Sequence, residues 1–426
     1  MNIRPSQSNS SLSENLFYAG VLAFAATLPL AFFILNNIAA IVIVISWLWL
    51  LAQGKVRIRP AKSAYFFIFI SLFIIYAVGV VYSTNIKEAF RQLEIMLLLL
   101  ILPLVLGSVP PISKRKIMSI FLVFAVTSTL IALLCIVETL LRNYRLGFEF
   151  ATHNAWYYSS EGLVQGFGFH PNYMAIYSLF TILILIQYIP FLYTPKRKYI
   201  IILVVVTICL HIAFIAALSA RTQIFILLIL VPLWILYYTL KYRRFKTGIL
   251  LLVLCTGLIS TSIMVSPILK EKFKGLLNID VDQDNEKFSA SLRIQKWRSA
   301  YNIFKENPII GVGTGDMQDR LQIEYYNNNY EIPYTLRYTA HNQYLDTAAR
   351  LGIIGLLSLI ACLLYPMVRS VKTKDILYFS FLLIIFISLI PEMVLTLNKG
   401  VAFYAFFNSI MAFHSDNFSN DAPPIH

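Results

Sequence analysis

Arg221, Arg293 and His341 are the side chains here that most readily suggest chemistry. A guanidinium stays charged in a low-dielectric setting and grips phosphate oxygens two at a time. An imidazole titrates near neutrality and can take a proton from a hydroxyl. Each residue has an ordinary reading as well: Arg221 as a snorkelling helix end, Arg293 as a surface charge, His341 with Asn342 as a hydrogen-bonded helix start. His170, in His170-Pro171-Asn172, Arg91 and Glu392 are open to the same readings. Only a shared depth in the fold makes a site of them, one for an anion and a hydroxyl. If that anion were a lipid-linked diphosphate sugar, the diphosphate would depart negatively charged, and the site would chiefly need positive charge where that charge develops.

Ionisable groups at one depth require elements that hold them there. The chain has 426 residues, 58% of them apolar and 13% charged, with a mean hydropathy of +0.71. That is too few polar residues to cover a water-exposed globule, and it excludes disorder, collagen and a disulfide scaffold. Cys135, Cys209, Cys255 and Cys362 all fall in apolar runs and read as small buried hydrophobes. A membrane helix needs about 20 apolar residues. Candidate spans lie near 16–34, 37–52, 63–82, 92–109, 117–141, 172–193, 199–218, 222–240, 247–267, 352–368, 375–391 and 399–414. The second is short and the fourth starts amphipathic, so eleven or thirteen stay open. The first follows a polar tail without a clear cleavage site and is expected to be retained.

The expected fold class is therefore all-α, a polytopic membrane protein of about twelve transmembrane helices. Basic clusters at Lys55/Arg57/Arg59/Lys62, Lys114/Arg115/Lys116, Lys196/Arg197/Lys198, Lys241/Arg243/Arg244/Lys246 and Arg369/Lys372/Lys374 follow every second span. The positive-inside bias then places both termini in the cytoplasm. Counting spans puts Arg91, His170, Arg221, Arg293, His341 and Glu392 at the outer boundary. The expected organisation is 1–267 as helices one to nine, 268–351 as a large outer loop, 352–414 as helices ten to twelve, and 415–426 as a cytoplasmic tail. The outer loop holds eleven acids and eleven bases, so the whole +14 resides elsewhere and reads as topology with some attraction to anionic headgroups, not as a nucleic-acid surface. Within the loop, Ser289 or Ser291 can cap a helix on which Ile294, Trp297, Tyr301 and Phe304 recur, ending before Pro308. Gly311, Gly313 and Gly315 link it to a helix near 316–327, and a third starts near His341 and runs into span ten.

Several motifs can be set aside. Gly311-Val-Gly-Thr-Gly315 lacks a surrounding βαβ unit, and Asp316 stands where a last glycine belongs. Asp280, Asp282 and Asp284 begin like a calcium loop, but Asn285 and Ser291 occupy its glycine and glutamate places. The six histidines have no metal-ligand spacing, so neither metal nor cofactor is expected.

Arg293 with Trp297, Asn307-Pro308-Ile-Ile-Gly311-Val-Gly313, Ala340-His341-Asn342-Gln-Tyr-Leu345 and Leu351-Gly352-Ile-Ile-Gly355 together resemble the signature of the O-antigen ligase and polymerase superfamily. Arg221 after Ser-Ala, His170-Pro171-Asn172, and Glu392 ahead of Lys399-Gly400 look like further family positions, so the likeness spans about 165–410. It implies a GT-C-type glycosyltransferase in the bacterial inner membrane, with its catalytic loop in the periplasm. Ligases of the family move a glycan from undecaprenyl diphosphate to a sugar hydroxyl of the lipid A core without metal or nucleotide. By that likeness Arg221 and Arg293 would hold the diphosphate and His341 would position or deprotonate the acceptor. Arg91, His170, Asn342 and Glu392 would help bind substrate, Glu392 by orienting one of the other groups. The surroundings of Arg221 are sparser in Ser and Gly than the family pattern. A polymerase joining lipid-linked repeat units needs the same clamp and differs in its acceptor; an oligosaccharyltransferase to protein hydroxyls is a further variant. A transporter or flippase would instead favour charged or broken helices at the midplane of both halves, where only His211 lies deep in a span.

Overall fold

The computed structural model describes residues 11–30, 32–58, 64–147, 157–192, 198–242, 253, 257 and 290–414. Among them the chain is all helical, without a strand. The expected span at 247–267, residues 268–289 of the outer loop, and the tail at 415–426 lie outside the described residues, apart from positions 253 and 257.

The first half contributes α1 (Leu12–Thr27), α2 (Phe33–Ala52), α3 (Ala64–Val81), α4 (Ile86–Met96), α5 (Leu98–Ser108) and α6 (Lys114–Arg145). After a short α7 (Ser160–Val164) come α8 (Pro171–Leu192), α9 (Lys198–Ala217) and α10 (Arg221–Tyr242). The loop region holds α11 (Ala290–Glu306), α12 (Met317–Asn327) and α13 (Glu331–Thr335), and the chain closes with α14 (Gln343–Lys372), α15 (Ile376–Ser388) and α16 (Asn398–His414). Among the described residues seven helical stretches are long and apolar enough to cross a membrane: α2, α3, α4 with α5, α6, α8, α9 and α14. Parts of α10 and α15 are apolar but shorter. This is a multi-helix membrane protein, and every expected span that falls on described residues is helical over most of its length, the first breaking off at Thr27.

The bundle is held by a dense aromatic core. Phe407 of α16 meets Phe124 of α6 and Phe180 of α8 with ring centroids 4.9 Å away in each case, and Phe381 of α15 lies 5.0 Å from Phe180. Such rings bury large apolar area and add tilted and edge contacts, which matter where lipid tails supply no hydrophobic drive between helices. Polar pairs cross-link the same helices: Trp234 donates to Ser380 at 2.8 Å, and Tyr378 donates to Asn408 at 2.7 Å. His211 is buried against the Thr129 hydroxyl at 3.0 Å, away from any cavity described below.

Two elements differ in detail from the sequence expectation. The fourth span is divided at Leu97 into the polar-faced α4 and the apolar α5, because Glu88, Arg91 and Gln92 of α4 turn toward clefts at one end of the bundle. On α11 the buried side chains are Leu292, Lys296, Ser299, Ala300 and Ile303, whereas Ile294 and Tyr301 of the expected apolar stripe are exposed. Small residues let α11 lie closely on its neighbours, and Lys296 is turned into a cavity.

Basic residues gather at the other end. Lys55 pairs with Glu14 at 3.4 Å, the Tyr18 hydroxyl donates to the Lys116 carbonyl at 3.2 Å, and Arg369 stacks over Tyr65 at 5.6 Å. The start of α1, the α2 end, the α6 start and the end of α14 thus share one end, opposite the starts of α8, α10 and α14.

Candidate functional site

At the opposite end, the starts of four long helices converge on one cavity of about 300 Å³. Pro171 and Asn172 come from the first turn of α8, Arg221 and Thr222 from that of α10, Leu292 and Arg293 from that of α11, and His341 stands two residues ahead of α14. The N-terminal end of a helix carries roughly half a positive charge and N–H groups with no intrahelical acceptor. Some of these N–H groups are already used, that of Asn172 by His170 Nδ1 at 3.4 Å and that of Gln343 by the Leu389 carbonyl at 2.9 Å, so the ends favour an anion chiefly through their dipoles.

The side chains add to this. Arg221, Arg293 and Lys296 bring three cations into the lining, and Glu161 and Glu392 bring two carboxylates. Arg293 and Lys296 are three residues apart on α11, so both face the cavity. Lys296 is buried, with its ammonium 4.8 Å from the centroid of the Tyr338 ring. Burial, reinforced by the charge of Arg293 and opposed by that of Glu392, pushes its pKa down to about 8.

His341 faces Glu392, with Nδ1 3.8 Å from one carboxylate oxygen. The other oxygen of Glu392 accepts from the Asn172 side chain at 2.5 Å, which fixes the carboxylate on the far side. The Trp297 indole donates to the His341 carbonyl at 3.4 Å, and Tyr338 meets the imidazole edge-on with centroids 6.0 Å apart. Glu392 and Tyr338 thus flank the ring and Trp297 anchors its backbone, with Nε2 left as the second polar atom of the imidazole.

The backbone around the cavity is strained. Ser160, Ser219 and His341 line it with φ of 53°, 53° and 46°, in the left-handed region that side chains rarely adopt. Six non-glycine residues among those described have such φ, and three of them border this one cavity. Strain of this kind costs on the order of 1–3 kcal/mol per residue and persists where surrounding contacts impose it. Here it swings His341 out of line with α14 and turns Ser219 just ahead of Arg221.

The loop motifs set the height of these groups. Gly352 interrupts α14 with φ 67° and ψ −166°. The break leaves carbonyls without helical partners, and the glycine-rich link supplies them: Val312 N–H donates to the Ala349 carbonyl at 3.0 Å and Gly313 N–H to the Arg350 carbonyl at 2.9 Å. In return, Ile353 N–H donates to the Pro308 carbonyl at 2.8 Å. A Cβ on Gly352 would stand 2.0 Å from the Ile309 carbonyl oxygen, so glycine is required there. Buried Arg350 pairs with Asp346 through bonds of 3.1 and 3.2 Å and donates to the Thr314 carbonyl. Asp316 accepts from the N–H groups of Thr84 and Asn85 at 2.8 and 2.7 Å and from the Thr84 hydroxyl at 2.9 Å. Burial raises the Asp316 pKa, and these donors more than reverse it, leaving the carboxyl below its ordinary value. The Asn307–Asp316 stretch is therefore a clasp between α3, α4 and the α14 break.

Of the residues singled out from sequence, Arg221, Arg293, His341, His170 and Glu392 line the same cavity. Asn342 does not; its side chain caps α14 by accepting from Leu345 N–H at 3.0 Å. Arg91 also lies outside it, paired with Glu88 at 2.5 Å and bordering two adjoining cavities. Sequence reasoning passed over Lys296, Glu161 and Tyr338 as lining residues and named Asn172 only as part of His170-Pro171-Asn172. The Arg293-x-x-Lys296 spacing was a readable signal; Glu161 and Tyr338 carry none that spacing would reveal. Among the described residues no three His, Cys, Asp or Glu side chains converge as metal ligands would.

No curated protein matches the chain. Residues 203–360 match the family model described as O-Antigen ligase. That stretch contains Arg221, Arg293, Lys296 and His341, while His170 and Glu392 reach the cavity from outside it. Over residues 203–360, which include several of its apolar helices, the chain is thus similar to the O-antigen ligase family.

Proposed function

We propose that the protein is an inner-membrane glycosyltransferase of GT-C type that moves a glycan from undecaprenyl diphosphate to a sugar hydroxyl of a lipid A core at the periplasmic face. The observation that carries this reading is the cavity in which Arg221, Arg293 and Lys296 meet four helix N-termini beside the His341–Glu392 pair. The collection of basic residues at the other end supports a cytoplasmic placement of that end and of both termini, with about twelve spans in all.

In this reading the cations and helix ends hold the diphosphate, the guanidinium groups forking onto its oxygens. Transfer breaks the bond between the anomeric carbon and the phosphate oxygen and forms one between that carbon and the acceptor oxygen. The electron pair of the broken bond leaves on the diphosphate, where positive charge is already in place and need not reorganise. The acceptor hydroxyl gives its proton to Nε2 of His341, and the imidazolium so formed is stabilised by Glu392 facing Nδ1. No nucleotide or metal ion enters this scheme.

Purified protein given undecaprenyl-diphosphate glycan in EDTA, with either lipid A core or a second lipid-linked unit, tests the acceptor. A single capped product on lipid A core is expected. A ladder on the second lipid-linked unit would make the protein a polymerase, and a need for added divalent metal would refute the scheme. Arg221→Ala, Arg293→Ala and His341→Ala should each lower transfer by about 10²-fold or more while the protein still reaches the membrane. Ordinary surface glycan in all three variants would reject the site.

A further inference from the structure

A second cavity of about 360 Å³ adjoins the first, with His170 in the lining of both. Its walls are largely apolar, with Ile95, Phe169, Met174 and Leu397, yet two cations enter it, Arg91 and Lys399, and no carboxylate lines it. Lys399 sits in the first turn of α16, a helix of 17 residues whose positive end also borders the space through Asn398. Its ammonium donates to the Leu30 carbonyl and lies 4.8 Å from the centroid of the Phe169 ring, which holds it at the cavity wall. Arg91 commits Nε and Nη2 to Glu88 at 2.7 and 2.5 Å, two of five N–H groups on a guanidinium. Glu88 itself borders a different cleft.

Two cations and a helix start set in apolar walls match an amphiphile: an anionic headgroup with hydrocarbon beside it. We infer that the Arg91–Lys399 cavity is a second anion subsite, which takes a phosphate-bearing lipid headgroup and holds the acceptor amphiphile next to His170 while the first cavity holds the donor diphosphate. Its assignment to the acceptor rests on the transfer reaction proposed above; the binding does not. A bisphosphorylated lipid A and a second undecaprenyl diphosphate share this headgroup chemistry.

Full-length protein in phosphatidylcholine nanodiscs is titrated with undecaprenyl diphosphate and with bisphosphorylated lipid A, alone and together, and bound lipid is counted by native mass spectrometry, with undecaprenol as the uncharged control. Wild type is expected to bind two phosphate-bearing lipids per chain. Arg91→Gln/Lys399→Gln should keep one and weaken the other by about tenfold or more, the affected probe revealing which source the subsite takes. If that variant is not monodisperse, Arg91→Gln alone leaves Lys399 on the Leu30 carbonyl and should still weaken the same probe several-fold. One bound lipid in wild type, binding no better than undecaprenol, or wild-type affinities in the cavity variants would overturn the inference. Arg221→Gln/Arg293→Gln tests the other cavity. If it keeps both lipids while the Arg91/Lys399 variant loses one, the donor-site reading fails and the subsite stands.

Discussion

Lys296 shows how a single residue changes the chemistry available to the cavity. The ammonium of Lys296 has its pKa pushed down to about 8 by burial and by Arg293, so its charge changes in an accessible pH range. Arg221, Arg293, Glu392, Glu161, His341 and His170 face the same space, so its titration is coupled to both signs of charge. In the unliganded protein Lys296 is protonated below about pH 8 and neutral above it. A bound diphosphate favours the charged form, so binding above that pH takes up a proton and weakens as pH rises. Affinity for undecaprenyl diphosphate should therefore fall from about pH 8 upward, and Lys296→Arg should abolish that fall. Titration of binding between pH 7 and 10 checks this, and a wild-type curve that stays flat would remove Lys296 from headgroup binding. For folding the sign is opposite: the unfolded lysine holds its proton to higher pH, so this burial penalty is relieved as pH rises through about 8.

At the scale of elements, the clasp between Asn307–Asp316 and the α14 break converts a glycine-rich stretch into a positioning device. The stretch could pass for a phosphate loop, yet its N–H groups face the Ala349 and Arg350 carbonyls. Gly352→Ala forces a side chain into the left-handed region and against the Ile309 carbonyl. It should cost about 1–3 kcal/mol from backbone conformation alone. A lowered apparent melting temperature in detergent, together with reduced transfer, is the expected result. An unchanged melting temperature would show that α14 can straighten without loss. The short left-handed turn at His341 depends on the same arrangement, since Asn342 caps the segment that Gly352 ends. Helix identity was legible here because apolar runs and caps are local signals, whereas the break was not. Gly352 in an otherwise helical pattern reads as tolerated, and only the opposing Pro308–Gly313 backbone makes it a stop.

For the molecule as a whole, charge separates end from end. Lys55, Lys116 and Arg369 lie opposite the cavity that holds Arg221, Arg293 and His341. In a background without native cysteines, exposed Arg337→Cys should react with a membrane-impermeant maleimide in intact spheroplasts. Exposed Lys55→Cys should react only after the membrane is opened. Labelling from the reverse sides would invert the proposed orientation.

Hydropathy by itself determined the helical class and the approximate position of the apolar helices, because partitioning into lipid acts on each segment separately. Motif spacing brought out Arg221, Arg293 and His341, but five of the seven singled-out residues share a cavity, with Asn342 spent on a cap and Arg91 turned to a neighbouring space. Only tertiary structure decided that, and only it joined Glu392 to His341, Asn172 to Glu392 and Lys399 to Arg91's cavity. Depth in a membrane can be read one helix at a time; the rotation of each helix about its axis is set by packing against the others, and rotation determines which side chains meet.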